Sequence, residues 1–309
     1  MMRAVFMGTP EFALPSLEAV AERCELVAVV AQPDRPQGRG QRLAPPPTAR
    51  WARERGVELL QPEKIRSPEL ASRLRAIAPE IVLVVAYGKI LPPELLEIAP
   101  RGYLNVHASI LPKYRGAAPI QWAIARGERE TGVTLMRIGE GLDDGPMLLQ
   151  RRCEISDDDT GGSLTERLAR MGGEILREGL PLLERGELEP VPQDPALATL
   201  APKLRREDAL LDWRLPAQLL RDRVRAFQPW PSAIARLPGG GGLKISASSV
   251  EAGDGAPGEL LDDAAGGGLV VATGRGALRL IEVQPEGGRR MRAESFLAGH
   301  PLPAGTRLP

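Results

Sequence analysis

The sequence predicts an α/β chain in which a mostly parallel sheet is followed by a small β-barrel or sandwich. Three observations lead there. From Arg3 to about Leu149, short apolar runs alternate with helical patterns, and that alternation implies right-handed βαβ units. The stretch 189–204 holds Pro190, Pro192, Pro195 and Pro202 with little periodicity, as a linker does. After it come short strand-like runs broken by glycines at 239–242 and 266–268, the pattern of a small β domain. The expected division is a domain over 1–188, a linker over 189–204 and a second domain over 205–309.

In chain order, Arg3 to Gly8 is the first strand. Gly8-Thr9-Pro10-Glu11-Phe12 then opens a helix over Phe12 to Ala21. It lacks the Gly-x-Gly-x-x-Gly spacing of a dinucleotide site, so no dinucleotide is expected. Glu25 to Ala31 is the next strand, and Thr48 to Arg55 and Pro68 to Ile77 read as helices. Ile81 to Ala86 and Tyr103 to Ala108 are strands separated by a short helix over Pro93 to Ile98. Ser163 to Arg185 predicts a long helix, with Leu164, Leu168, Met171, Ile175 and Leu176 along one stripe and Ser163 and Glu166 at capping-box spacing. Leu243 to Ser246, Gly268 to Ala272 and Ala277 to Val283 supply strands of the second domain.

The 309 residues are 43% hydrophobic and 26% charged, which supports a real core. No membrane span is visible, and the start enters a strand without a signal-peptide apolar region, so a cytoplasmic protein is expected. Cys24 and Cys153 stand far apart and read as buried thiols in a reducing compartment. Two histidines and two scattered cysteines make no ligand cluster, so no metal is expected. Forty basic against forty acidic residues argue against indiscriminate polyanion binding but leave room for a local basic face.

The only asparagine, Asn105, lies two positions from His107, one of two histidines. On a strand that spacing sends both side chains to one face. An amide donor beside an imidazole suits a carbonyl that becomes an oxyanion. The run that follows, Ser109-Ile110-Leu111-Pro112-Lys113-Tyr114-Arg115-Gly116-Ala117-Ala118-Pro119, is a rigid loop where the chain leaves the sheet's carboxyl edge. Farther on, Gly141-Leu142-Asp143-Asp144-Gly145-Pro146 puts carboxylates on a turn, and one brought beside His107 would orient its ring.

Taken together, several motifs make the resemblance specific. They are Gly8-Thr9-Pro10-Glu11-Phe12-Ala13, Gln32-Pro33-Asp34-Arg35-Pro36, Val85-Ala86-Tyr87-Gly88, Asn105-Val106-His107, the Leu111 to Pro119 loop, Thr131-Gly132-Val133-Thr134, Gly141-Leu142-Asp143 and Ala226-Phe227-Gln228-Pro229-Trp230-Pro231. In this order, over nearly the whole length, the chain resembles the methionyl-tRNA formyltransferase family. The resemblance implies a Rossmann-like formyltransferase domain that uses 10-formyltetrahydrofolate, then an OB-like domain that helps hold initiator methionyl-tRNA. Asn105, His107 and Asp143 fall on the family's catalytic trio, and Ser109, Ile110, Leu111 and Pro112 on its folate loop. Arg39 falls in the insertion loop used near the tRNA acceptor end, flanked by Arg35 and Arg42. Two departures stand out: Asp144 where threonine is common, and Gly139 where an acidic residue is frequent. Gln41-Arg42 replaces the usual lysines.

Formyl transfer needs attack on a carbonyl, a tetrahedral intermediate with oxyanion character, and proton movement from the attacking amine to the leaving nitrogen. Asn105 suits the oxyanion, His107 the oxyanion or the proton, and Asp143 the orientation of the ring. A flat pterin calls for apolar, backbone-rich walls, and Val84 to Tyr87, Gly88 and Ser109 to Pro112 supply them. Basic side chains along the Arg35 to Arg50 stretch are candidate tRNA contacts, as are Arg289, Arg290 and Arg292. Residues Lys203 to Pro309 carry 15 basic and 12 acidic side chains, a net of +3, so tRNA contact there must come from one face. Phe227, Trp230 and Trp213 read as packing residues. A monomer is expected. Formyl transfer to an amino sugar nucleotide, hydrolysis of the formylfolate, and a non-enzymatic nucleic-acid-binding module are the alternatives.

Overall fold

The computed structural model describes residues 1–37, 42–263 and 268–309. By contacts these fall into two compact units. The first comprises Met1–Pro119, Thr131–Cys153 and Thr165–Ala201, and the second Ile120–Glu130, Glu154–Leu164 and Pro202–Pro309. The chain thus enters the second unit twice before Pro202, in excursions that no composition shift marks.

The elements of the N-terminal half are β1 (Arg3–Gly8), α1 (Leu14–Arg23), β2 (Glu25–Val30), β3 (Arg35–Gln37), β4 (Arg42–Ala44), α2 (Pro47–Arg55), β5 (Glu58–Leu60), α3 (Pro68–Ile77), β6 (Ile81–Val85), α4 (Pro93–Leu96), β7 (Tyr103–His107), α5 (Pro119–Ala125), β8 (Glu130–Arg137), β9 (Met147–Glu154) and α6 (Gly161–Arg185). Seven strands form one sheet in the order β5-β2-β1-β6-β7-β8-β9. The pairs from β5 through β7 are parallel, whereas β8 runs antiparallel to β7. Strands β1 and β6 are central, which is why their continuous apolar runs are buried on both faces. One face carries Val5, Met7, Ala28, Val30, Val82, Val84 and Tyr103, and helix α3 covers it with Leu70, Leu74 and Ile77 at helical spacing. The chain builds outward from β1 through β2 to β5, then returns to β6 on the other side of β1. The carboxyl edge between β1 and β6 is therefore the topological switch point, where open α/β sheets bind ligands.

Three expectations change in detail. The helix expected over Pro93 to Ile98 shrinks to four residues. The helix expected from Phe12 begins as a 3-10 turn over Glu11–Ala13. The long helix starts at Gly161, two residues earlier than expected, and its reciprocal cap joins Thr160 and Ser163: each backbone N–H donates to the other's hydroxyl, at 3.0 and 3.1 Å. Glu166 is not the partner. Of the expected stripe, Leu164, Leu168, Ile175 and Leu176 are fully buried and Met171 half-buried.

Within the second unit, α7 (Ala217–Ala226), β10 (Ala233–Arg236), β11 (Gly242–Glu251), β12 (Leu269–Ala272), β13 (Ala277–Pro285), β14 (Met291–Arg292) and α8 (Ala293–Gly299) form the OB-like domain. Its antiparallel sheet is ordered β10-β11-β13-β12, with β14 on β13. Arg225 of α7 holds the 156–159 turn by donating to the carbonyls of Ser156 (2.7 Å) and Asp159 (2.9 Å), while its charge is met by Asp222 at 2.7 Å. Phe227 and Trp213 are buried as expected, but Trp230 is 54% exposed and is not a core residue. Of the arginines offered as phosphate contacts, Arg290 pairs with Glu282 and Arg292 with Glu294 at 3.4 Å, both at the surface.

Candidate active site

The site is built on the end of β7. Because strand side chains alternate, Asn105 and His107 share the face that carries Tyr103, and β8 lies alongside in a register that pairs Asn105 with Met136 and His107 with Thr134. The antiparallel direction of β8 has a consequence. Its last residue, Arg137, pairs with Leu104 near the start of β7, roughly 10 Å from His107 along the strand. The irregular loop 138–146 must therefore fold back across the sheet face for Asp143 to reach His107, and it does so. Asp143 Oδ2 lies 3.6 Å from His107 Nδ1, and Oδ1 lies 3.5 Å from Asn105 Nδ2. Gly145 allows the fold-back, since a Cβ there would collide with the Arg137 carbonyl.

His107 is buried, and its Nε2 is 2.9 Å from the Tyr114 carbonyl. A carbonyl only accepts, so Nε2 carries the hydrogen and Nδ1 faces Asp143. Asp143 accepts a hydrogen bond from the Gly116 N–H at 2.9 Å. Gly116 has φ +121, and a Cβ there would lie 2.7 Å from the Ala201 carbonyl, so only glycine presents its N–H in this way. Two further residues adopt left-handed backbone: Tyr114 (φ 62), which aims its carbonyl at His107, and Asp143 itself (φ 48). Such conformations are disfavoured by about 1–2 kcal/mol each and need surrounding bonds to hold them.

Those bonds come from 191–201, the proline-rich segment expected as part of the linker. Within the first unit it is tied down along its length. Val191 and Met147 exchange both backbone bonds at 2.8 Å. Thr199 accepts at its carbonyl from Arg115 N–H (2.8 Å) and at its hydroxyl from Tyr114 N–H (2.9 Å). Ala201 N–H donates to the Arg115 carbonyl at 2.7 Å. Gln193 bonds the Asp143 loop directly, and no periodicity or motif marks it in the sequence.

The folate-loop candidates form a buried wall. Ser109 and Leu111 are buried and Ile110 and Pro112 half-buried. Thr134, fully buried on β8, donates to the Ser109 carbonyl (2.7 Å) and accepts from the Leu111 N–H (3.2 Å). Gln150 donates to the Leu111 carbonyl at 2.8 Å. At the switch point Tyr87 is buried, which pushes its phenol up to about 12. Its carbonyl accepts from Gln32 at 3.1 Å and Thr9 at 3.4 Å, leaving the exposed Gly88 (φ 79) as the open edge of this wall.

The neighbouring carboxylate is not part of the cluster. Asp144 is exposed and lies over Gly139 and Gly141, where a Cβ on Gly139 would sit 2.8 Å from Asp144 Oδ1. The two departures noted in the sequence thus occupy one place: the acid at 144 fills the space left by glycine at 139. Of the basic candidates, Arg35 is exposed on the β3–β4 hairpin, which begins its return at Arg42. Arg39 lies outside the described residues. Among the described residues no cluster of three metal-ligating side chains occurs, and no helix is long and apolar enough to cross a membrane.

A mostly parallel sheet followed by a small antiparallel domain is the architecture of the formyl transferases. The formyl transferase family matches residues 2–180, and the formyl transferase C-terminal domain matches residues 203–301. Methionyl-tRNA formyltransferase of Myxococcus xanthus (strain DK1622) is 51% identical over 305 residues, covering 99% of this chain and 97% of that one. That of Anaeromyxobacter dehalogenans (strain 2CP-C) is 54% identical over 292 residues, 93% of each chain. The chain belongs to the methionyl-tRNA formyltransferase family and is a formyl-transferring enzyme. Solved structures of similar fold include an N-formyltransferase from Helicobacter canadensis in complex with folinic acid and dTDP-3-aminofucose (TM-score 0.68, 17% identity, 94% of this chain and 100% of that one). HypX from Aquifex aeolicus in complex with tetrahydrofolic acid is another (TM-score 0.60, 21% identity, 96% of this chain but 47% of that longer one).

Proposed function

We propose that the chain moves the formyl group of 10-formyltetrahydrofolate to the α-amino group of initiator methionyl-tRNA, with Asn105, His107 and Asp143 at the reacting carbon. The observation that carries this is the convergence of the three side chains from β7 and the folded-back loop, within 3.6 Å of the Asp143 carboxylate. The amine attacks the formyl carbon, the bond from that carbon to the folate nitrogen breaks, and one proton passes from the amine to that nitrogen. Asn105 makes only a long contact to Asp143, so its N–H remains available to the oxyanion. His107 carries the transferred proton at Nδ1, where the Asp143 carboxylate stabilises the resulting charge while the Tyr114 carbonyl holds the ring. The 109–112 wall and the Tyr87-Gly88 turn bound the folate, and Arg35, Arg39 and Arg42 meet tRNA. Residues 205–309 help hold the tRNA.

The test supplies formylfolate together with charged initiator tRNA, an amino sugar nucleotide, or water alone, and follows formyl-donor consumption. Turnover is expected with the tRNA. Asn105→Ala and His107→Ala are each expected to slow it by about 100-fold or more while leaving the fold intact. Equal turnover on the amino sugar nucleotide with the tRNA inert would overturn the substrate assignment, and near-wild-type rates in both variants would overturn the trio.

A further inference from the structure

Gln193 is 9% exposed, and its amide is fully engaged. Its Nε2 donates to the backbone carbonyls of Asp143 and Gly145, both at 2.8 Å. Its Oε1 accepts from Arg115 Nε (3.0 Å) and Nη2 (2.7 Å). Four bonds on one amide exhaust its two donors and two acceptor lone pairs. They join the two loops that surround His107: Arg115 stands between Tyr114 and Gly116, which bond His107 and Asp143, and Nε2 holds the loop that carries Asp143. That loop has no regular structure, has folded back across the sheet, and keeps Asp143 at φ 48, so something outside it must fix it.

We infer that Gln193 is a positioning residue for formyl transfer, one that sets the Asp143 carboxylate against His107 by clamping the backbone on either side of Asp144 to the Arg115 loop. This rests on the assignment of Asp143 to the reacting trio. Glutamine is the side chain that serves here, because only an amide both accepts from a guanidinium and donates to two carbonyls. Glutamate keeps the Arg115 bonds and loses both donors, placing negative oxygens against two carbonyl oxygens. The Asp143 loop is then released while the rest of the segment 191–201 keeps its main-chain bonds.

The test compares wild type, Gln193→Glu, Asp143→Asn and the double variant in kcat, in KM for formylfolate and for charged tRNA, and in melting temperature. Gln193→Glu is expected to lower kcat by about 10- to 100-fold, with both KM values changed by no more than about threefold. Because Gln193 acts through Asp143, the double variant is expected to fall no more than about threefold below Asp143→Asn alone. If the glutamate variant does not fold, Gln193→Met, similar in volume and without polar groups, is measured in its place with the same expectation. Loss of kcat in the double variant equal to the product of the two single losses would show a general structural role and overturn the inference. So would a Gln193→Glu enzyme within about twofold of wild-type kcat while Asp143→Asn is crippled. A near-wild-type Asp143→Asn enzyme would instead overturn the trio assignment, and the inference with it.

Discussion

Thr134→Val removes one oxygen and almost no volume, and it tests how firmly the proposed folate wall is held. The Thr134 hydroxyl is fully buried and sits at the centre of three bonds: it donates to the Ser109 carbonyl (2.7 Å) and accepts from the Leu111 N–H (3.2 Å) and Gln150 Nε2 (3.1 Å). Valine keeps the β-branched shape that suits β8. Gln150 retains its bond to the Leu111 carbonyl. The Leu111 N–H and the Ser109 carbonyl lose this partner, and with a buried donor left unpaired costing about 1–3 kcal/mol, the total comes to roughly 2–4 kcal/mol. For a unit of this size that is a fall in Tm of roughly 5–15 °C. The same bonds fix the 109–112 backbone, so KM for formylfolate is expected to rise more than KM for charged tRNA. Thermal and urea melts with steady-state kinetics on both substrates measure this, and Thr134→Ser, which keeps the hydroxyl, should stay near wild type. A loss below about 1 kcal/mol together with an unchanged folate KM would refute this account of the wall.

Asp144→Thr is expected to leave kcat within about threefold of wild type, because Asp144 lies over Gly139 and Gly141 and not against His107. A loss comparable to that of Asp143→Asn, measured in the same assay, would mean the wrong aspartate has been placed in the trio. Asp34 gives a pH dependence. Its bond from Gln61, supported by Arg53, holds its carboxyl below the ordinary value of 3.8. A depressed carboxyl contributes stability that is complete above its unfolded value and is lost as pH falls through the folded one. The Tm advantage of wild type over Asp34→Asn should therefore be constant above about pH 5 and vanish at lower pH; a difference that grows on acidification would contradict the sign.

Much of the architecture was legible because β1, β2 and β6 are short apolar runs and α3 and α6 keep a 3.6-residue stripe, whereas the three-residue β5 leaves no such pattern. The pairing of Asn105 and His107 needed only the two-residue period of β7. Asp143 was legible as a carboxylate on a turn, but its route was not: that β8 reverses against β7, and that its loop folds back over the face, depends on register that no local pattern records. Gln193 was hidden for a related reason. Its amide donates to backbone carbonyls fifty and forty-eight residues away, which have no sequence signature, and its oxygen meets Arg115, which stands seventy-eight residues off. Composition misdirected in two places. Prolines made 191–201 read as part of a linker, although a segment without regular structure can still be bonded throughout. Hydrophobicity made Trp230 read as packing, although half of it is exposed.

The way the chain passes between its two units limits how it can be dissected. A fragment ended at 188 would keep all three members of the trio and yet sever the rungs from Val191 to Met147, from Thr199 to Tyr114 and Arg115, and from Gln193 to the Asp143 loop. Its silence in an assay would report broken scaffolding and would not test the tRNA contact proposed for the second domain. Ending the fragment at 201 restores those rungs but leaves Ile120–Glu130 and Glu154–Leu164 without the unit they fold with. No single cut yields two self-contained pieces, so the tRNA contact proposed for the C-terminal half is best measured by surface substitutions in the intact chain.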